Sequence, residues 1–249
     1  MFLPVGDTPN PSKAAWITWA LMALNIGVFL LVSLPLMTAA PDTTDPLYTT
    51  FIEVMSRRGV DMQQLRQQVS AYDLFVFRYG FRPADASLVT LFSSLFLHAS
   101  WFHLIGNMIY LWIFGNNVEA RLGHIGFLGA YLASGVVATL FFSFFVPGSQ
   151  VPMLGASGAI SGVLGCYFVW FPRNQVKVFI FLFPIIMDVV LIPAPLVLGL
   201  YLLVDNLLPF LVNAGGGSGV AHGAHIGGFL GGLLIAVIFH GRAPRGGRG

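Results

Sequence analysis

Four long stretches of this 249-residue chain, residues 14–41, 86–118, 122–172 and 206–241, contain no Asp, Glu, Lys or Arg. A helix needs roughly 20 predominantly apolar residues to cross the hydrocarbon core of a bilayer. These runs therefore read as membrane helices, and they fix the class of the chain before any motif is considered. Composition agrees: hydrophobic residues make up 56% and charged residues 9%, against roughly 25% charged in soluble domains, and the mean hydropathy is +0.80. The net charge of +2 says nothing about nucleic acid, because the basic residues are scattered and form no soluble basic domain. Cys166 is the single cysteine, so there is neither a disulfide nor a cysteine-based metal cluster. The first 13 residues lack the basic start and short apolar run of a signal peptide, so the first span reads as retained.

Six spans fit, at about residues 14–38, 101–118, 125–146, 154–171, 192–212 and 220–240. The expected fold class is an all-α membrane protein. A cytoplasmic N-terminal segment (1–13) precedes a six-helix membrane domain (14–240), and a basic cytoplasmic tail (241–249) follows. Between spans one and two lies a long loop, residues 41–100, rich in charge and glutamine and expected to be partly helical. The segment KVFIFLFPIIMDVVLI, residues 177–192, is apolar but broken by Pro184 and Asp188. It reads as an interfacial hairpin or as the foot of span five; as a separate crossing it would give seven spans. Charge decides for six. With the N-terminus inside, Lys13, Arg121, Arg173, Lys177, Arg242, Arg245 and Arg248 fall on the cytoplasmic side, while the short opposite loops 147–153 and 213–219 carry no Lys or Arg.

On that topology the unusual polar residues share a depth. Ser157 lies about three residues into span four, or roughly 5 Å at the helical rise, and His225 about five residues into span six, both from the outer end. His103 and Asn107 occupy the first two turns of span two and, four residues apart, lie on one helix face. Polar groups in a span are costly unless they line a cavity or pair, so their convergence on one level marks a candidate site. A serine within reach of a histidine makes a nucleophile and its general base, and a further histidine and asparagine can donate to a developing oxyanion. Gly158, Gly162 and Gly165 in span four, with Gly228 and Gly232 in span six, form the small-residue stripes that let two helices approach closely.

Gly155-Ala156-Ser157-Gly158, Ala224-His225-x-x-Gly228-x-x-x-Gly232, and His98 followed by His103 and Asn107 resemble the rhomboid intramembrane serine proteases. Glu119-Ala120-Arg121 with Leu122-Gly123, and Tyr79-Gly80-Phe81-Arg82-Pro83, agree with the same family; the resemblance covers residues 79–240. It implies a six-helix core with Ser157 as nucleophile and His225 as base, a dyad without a carboxylate. His103, Asn107 and the backbone N–H of Ser157 would form the oxyanion hole. His98, Gly155, Gly158 and Gly228 would support them, His98 by a structural or water-organising role. The chain departs from the family in two places. The nearest match to a Trp-Arg pair of the first loop is Phe77-Arg78, and Ser161 stands where some members carry a tyrosine stacked on the base histidine.

The expected activity is thus an intramembrane endopeptidase that cuts transmembrane segments of single-pass or other membrane proteins near the outer face through an acyl-enzyme. No cofactor and no metal is implied, and the partners are such substrates and the lipid bilayer, with no nucleic acid. The expected location is a prokaryotic inner membrane with both termini cytoplasmic. The rival readings are a catalytically inactive rhomboid-like client-binding protein and a solute transporter whose interrupted helices bind through Ser157, Asn107 and the histidines. A zinc site of His103, His222 and His225 is the metal alternative. Asp205 is the acid that a third triad position would use, though a hydrogen bond to a neighbouring span is the simpler reading. Asp188 belongs to the interfacial turn, His124 and His240 to helix ends, and Cys166 to packing. The glycine-rich residues 215–219 would lend mobility to the rim of a water-filled cavity, and span five would move aside to admit a substrate helix.

Overall fold

Each of the six apolar segments contains a helix in the computed structural model of the chain, which describes residues 2–57, 59–182, 186–212 and 220–241. In chain order the elements are β1 (Phe2–Thr8), α1 (Trp16–Thr38), α2 (Pro46–Ser56), α3 (Met62–Gln68), α4 (Ala71–Tyr79), α5 (Leu88–Phe96), α6 (Trp101–Leu122) and α7 (His124–Phe145). They continue as α8 (Ser157–Trp170), β2 (Gln175–Leu182), β3 (Ile186–Pro193), α9 (Ala194–Val212) and α10 (Val220–Ile238). Among the described residues α1, α7 and α9 are long and apolar enough to cross a membrane, and α5 with α6, bent by 88° at their junction, makes a fourth candidate. The helix α8 and the described part of α10 are shorter apolar helices. The loop 213–219 and the basic tail 242–249 lie outside the described residues.

The chain forms two compact units. The second, Leu24–Leu104 with Ser143–Ala156, contains the long first loop. That loop is helical because its polar residues act as caps. Asp45 accepts from the backbone N–H of Leu47 at 2.9 Å, Asp61 from that of Gln64 at 2.8 Å, and Ser70 with Asp73 forms a capping box at the start of α4. The helices α2 and α4, with Val69 between α3 and α4, bury Tyr48, Phe51, Ile52, Val69, Leu74 and Phe77 in a core of their own.

The first unit, Met1–Ala23, Ile105–Phe142 and Ser157–Gly249, carries a three-stranded antiparallel sheet in the order β1-β2-β3. The ambiguous segment 177–192 is thus a β-hairpin, paired from Gln175 with Pro193 to Leu182 with Ile186. Val176 and Val178 point inward while Gln175 and Lys177 face out, the period-two pattern of a half-buried strand. In β1 the register shifts between Pro4 and Gly6. The extra residue, Val5, resets the alternation and puts both Pro4 and Asp7 on the buried side.

Asp7 is 2% exposed, and its Oδ2 accepts from Tyr167 Oη at 2.6 Å and from Asn117 Nδ2 at 2.7 Å. Asn174 Nδ2 donates to Tyr167 Oη at 2.9 Å and so extends the network. The N-terminal strand is thereby tied to α6 and to the end of α8. Nearby, Glu119 accepts from the backbone N–H groups of Ile17 and Thr18 at 2.9 and 2.8 Å and from Thr18 Oγ1 at 2.6 Å. It satisfies the otherwise orphaned donors that begin α1. Arg121, two residues on, lies over the Trp170 ring at 4.8 Å and donates to the His240 carbonyl at 3.3 Å. The Glu119-Ala120-Arg121 motif therefore holds the bundle together, and His124 is half exposed beside Glu119 at 2.6 Å.

Burial pushes the Asp7 carboxyl up to about 6, against the hydrogen bond from Tyr167 and the charge of Lys177. A folded-state value above the unfolded one contributes stability that is full below about pH 4 and is lost as pH rises through about 6. In Asp7→Asn the amide oxygen still accepts from both donors and does not titrate. The melting temperature of the wild type relative to Asp7→Asn is expected to fall between pH 4.5 and 7, by an amount worth roughly 1–3 kcal/mol. Thermal unfolding of both proteins in detergent, followed by tryptophan fluorescence at each pH, checks this, and parallel curves would refute it.

Candidate active site

The chain enters α8 through a segment held from several sides within the second unit. Phe81 and Met153 exchange backbone hydrogen bonds of 2.9 and 2.8 Å, and Arg82 lies 4.2 Å over the Phe77 ring while donating to Gln150 at 3.0 Å. Arg82 also pairs with Asp85. The Tyr79–Pro83 motif thus pins the approach to the serine. Gly155 donates its backbone N–H to the Ser94 carbonyl at 2.8 Å and adopts φ +121°, a conformation that side chains rarely take. That is why the tetrapeptide opens on glycine.

Ser157 is the first residue of α8 and is half-buried. The helices α8 and α10 run parallel, in contact through their glycines. A Cβ on Gly228 would collide with the Gly158 carbonyl, one on Gly232 with the Gly162 carbonyl, and one on Gly165 with the Phe229 carbonyl. The stripe on α10 is two-sided, because Gly227 and Gly231 face Phe141 and Val137 of α7 instead. Ala224 O and Gly228 flank Gly158. Ser157, next to Gly158, and His225, next to Ala224, therefore stand at one level of adjoining helices.

His225 is also half-buried. Its Nδ1 lies 2.7 Å from Asn206 Oδ1, and Asn206 Nδ2 donates to the Tyr201 carbonyl at 2.8 Å. The Tyr201 ring is 6.3 Å from the His225 ring, centroid to centroid, inclined by 31°, and its hydroxyl shares a 2.7 Å hydrogen bond with Ser161. Both residues come from α9, whose segment Tyr201–Leu207 is π-helical. Sequence reasoning had singled out Asp205 in this helix. The structure exposes Asp205 and puts its neighbour Asn206, 1% exposed, on the histidine. Ser161 anchors Tyr201, and Cys166 is buried with its thiol on the Gly232 carbonyl at 3.2 Å.

Asn107 is buried on α6, in the first unit with Ser157 and His225. His98 and His103 belong to the second unit, where their rings meet edge to face at 5.0 Å. The carbonyl of the fully buried His98 accepts from Tyr72 Oη at 2.8 Å, and His103 Nδ1 accepts weakly from the Ala99 N–H at 3.4 Å. His98 and His103 are thus oriented by the turn that precedes α6. Ser157 thus opens α8, and His225, level with it on α10, has its Nδ1 engaged by Asn206.

A family model described as the rhomboid domain matches residues 85–242, more than half of the chain. Rhomboid protein 1, mitochondrial, of Saccharomyces cerevisiae is 36% identical over 116 residues, 44% of this chain and 34% of the yeast protein. The rhomboid protease GluP of Bacillus subtilis is 31% identical over 150 residues, 59% of this chain and 25% of that protein. The putative rhomboid protease YdcA of the same bacterium is 32% identical over 111 residues, 44% of this chain and 52% of that protein. The matched region is thus only about a quarter to a half of the length of these relatives.

The glycine contacts make a stability prediction. Gly228→Ala forces α10 away from the Gly158 backbone of α8, and overpacking of this kind costs about 1–3 kcal/mol. The melting temperature should fall by roughly 2–4 °C for each kcal/mol in a chain of this size. Gly129 of α7 has nothing within 4 Å of its would-be Cβ, and Gly129→Ala should leave the melting temperature within about 2 °C of the wild type. Thermal unfolding of the two variants in the same detergent decides it.

Proposed function

The chain belongs to the rhomboid family, and we propose that it is an intramembrane serine endopeptidase that cleaves transmembrane segments of other membrane proteins through a Ser157–His225 dyad. The observation that carries the reading is the glycine-to-glycine contact of α8 and α10, which sets the serine and the histidine at one level of adjoining helices. His225 takes the hydroxyl proton as Ser157 attacks the scissile carbonyl, and the proton passes to the departing amine. His103 and Asn107, one turn apart on α6, and the backbone N–H of Ser157 at the start of α8 stabilise the oxyanion of the tetrahedral intermediate. A water then hydrolyses the acyl-enzyme with His225 again as base. His98, Gly155, Gly158 and Gly228 act by shape: the first supports His103, the second makes the turn into α8, and the last two let the helices meet.

Six spans, with both chain ends on the side that carries Lys13, Arg121, Arg173 and Lys177, put the dyad near the opposite face of the membrane. Substrates are then membrane proteins whose segment opens into an extended strand near that face. Residence of this chain in a membrane rests on its own long apolar helices.

Labelling of the purified protein in detergent with a fluorescent fluorophosphonate tests the mechanism. Wild type is expected to label, Ser157→Ala to lose the label outright, and His225→Ala to label at least about 100-fold more slowly. Labelling that persists in Ser157→Ala would sink the assignment of the nucleophile. Activity abolished by chelators would replace the dyad with a zinc site.

A further inference from the structure

Two hydrogen bonds of Asn206 fix more about His225 than its position. The Tyr201 carbonyl only accepts, so the Asn206 atom 2.8 Å from it is the amide nitrogen. The other amide atom, 2.7 Å from His225 Nδ1, is then the oxygen, which also only accepts. The proton between them must sit on Nδ1. That leaves the lone pair of the neutral ring on Nε2, the nitrogen a general base would use.

We propose that Asn206 is a positioning residue that holds His225 in the Nδ1–H tautomer and fixes its ring plane; this rests on reading His225 as the base. The dyad becomes a serine–histidine–asparagine relay in which the third group is an amide and touches no reacting atom. The logic is that of the triad, where the third group selects the tautomer and a wrong tautomer is severely damaging. Burial suits the role: Asn206 is 1% exposed, and both of its amide atoms are already engaged.

The local backbone explains why a residue of span five performs this role. In an α-helix two residues five apart differ by roughly 140° around the axis. The π-helical hydrogen bonding of Tyr201–Leu207 runs from i to i+5 and turns Tyr201 and Asn206 toward one side, where both meet His225. Tyr201, anchored on Ser161, supplies the ring beside the base that some family members take from the position Ser161 occupies. An excursion of α9 that breaks the Asn206 contact leaves the base without its orienter.

The test uses the full-length protein labelled with 15N-histidine in detergent. Imidazole nitrogen spectra are recorded for the wild type, Asn206→Leu and Asn206→Asp, with His225 identified by subtraction of a His225→Ala spectrum, and fluorophosphonate labelling rates are measured in parallel. The wild type should show His225 protonated at Nδ1 when neutral. Asn206→Leu should lose that preference and label roughly 10–100-fold more slowly, with an unchanged melting curve as the control for folding. Asn206→Asp keeps the acceptor, so it should retain the Nδ1–H form and label within a few-fold of the wild type. A wild-type rate in Asn206→Leu, or an Nδ1–H signal that survives in it, overturns the proposal. So does loss of the Nδ1–H form in Asn206→Asp, which covers the case in which the leucine variant does not fold. A wild type that fails to label contradicts the protease reading, while the spectra still decide the tautomer.

Discussion

The backbone-to-backbone contact of α8 with α10 is the constraint on which the rest of the first unit depends. The Gly158 and Gly162 carbonyls occupy the places where side chains at Gly228 and Gly232 would be. Lipid tails are as apolar as leucine, so two helices gain little by burying ordinary side chains against each other in a membrane, and close van der Waals packing has to supply the attraction. Glycine supplies it here three times along one seam. The same closeness matters to chemistry, because a serine side chain reaches only one bond beyond its Cβ. The proposed dyad needs the two helices this close, since a hydrogen bond spans only about 3 Å between heavy atoms.

At the other end of the bundle the organisation is polar. Asp7 gathers Tyr167 and Asn117, Glu119 gathers the start of α1, and Arg121 joins the end of α6 to Trp170 and to the end of α10. Glu119 satisfies the backbone donors that open α1, Asp7 accepts from two buried side chains, and Arg121 donates to a carbonyl just past the end of α10. Glycine packing at the serine end and buried hydrogen bonds at the other are complementary. The first brings helices together but does not set where along their axes they stop, whereas directional bonds do.

Much of the helical architecture was legible in the sequence, as were Ser157 and His225, from which the dyad is proposed. Uncharged runs locate the helices because the bilayer imposes a length, and Gly158-x-x-x-Gly162 opposite Gly228-x-x-x-Gly232 identifies a pair of faces because helical periodicity repeats every four residues. The strand β1 was not legible, since its partner lies some 170 residues further along the chain and no local pattern encodes a pairing of that kind. The hairpin of β2 and β3 stayed open because an apolar run broken by a proline looks alike as hairpin or as helix foot. Tyr201 and Asn206 were invisible for a sharper reason. A wheel drawn at the α-helical period places them on different faces, and only the π turn brings them together. Asp205 drew attention by its charge, yet the shift of register carries it to the exposed side.

That an amide rather than a carboxylate contacts the histidine follows from where the contact is made. A carboxylate in the place of Asn206, almost fully buried on an apolar helix, would have to lose its hydration, and its attraction for an imidazolium repays that cost only with further hydrogen bonds. A neutral amide oxygen orients the ring and selects the tautomer without a buried charge. The Tyr201 carbonyl prevents the amide from turning over to present its nitrogen instead. On the buried side of an apolar helix, orientation by a fixed dipole avoids that cost, and the π turn is the backbone feature that makes it available.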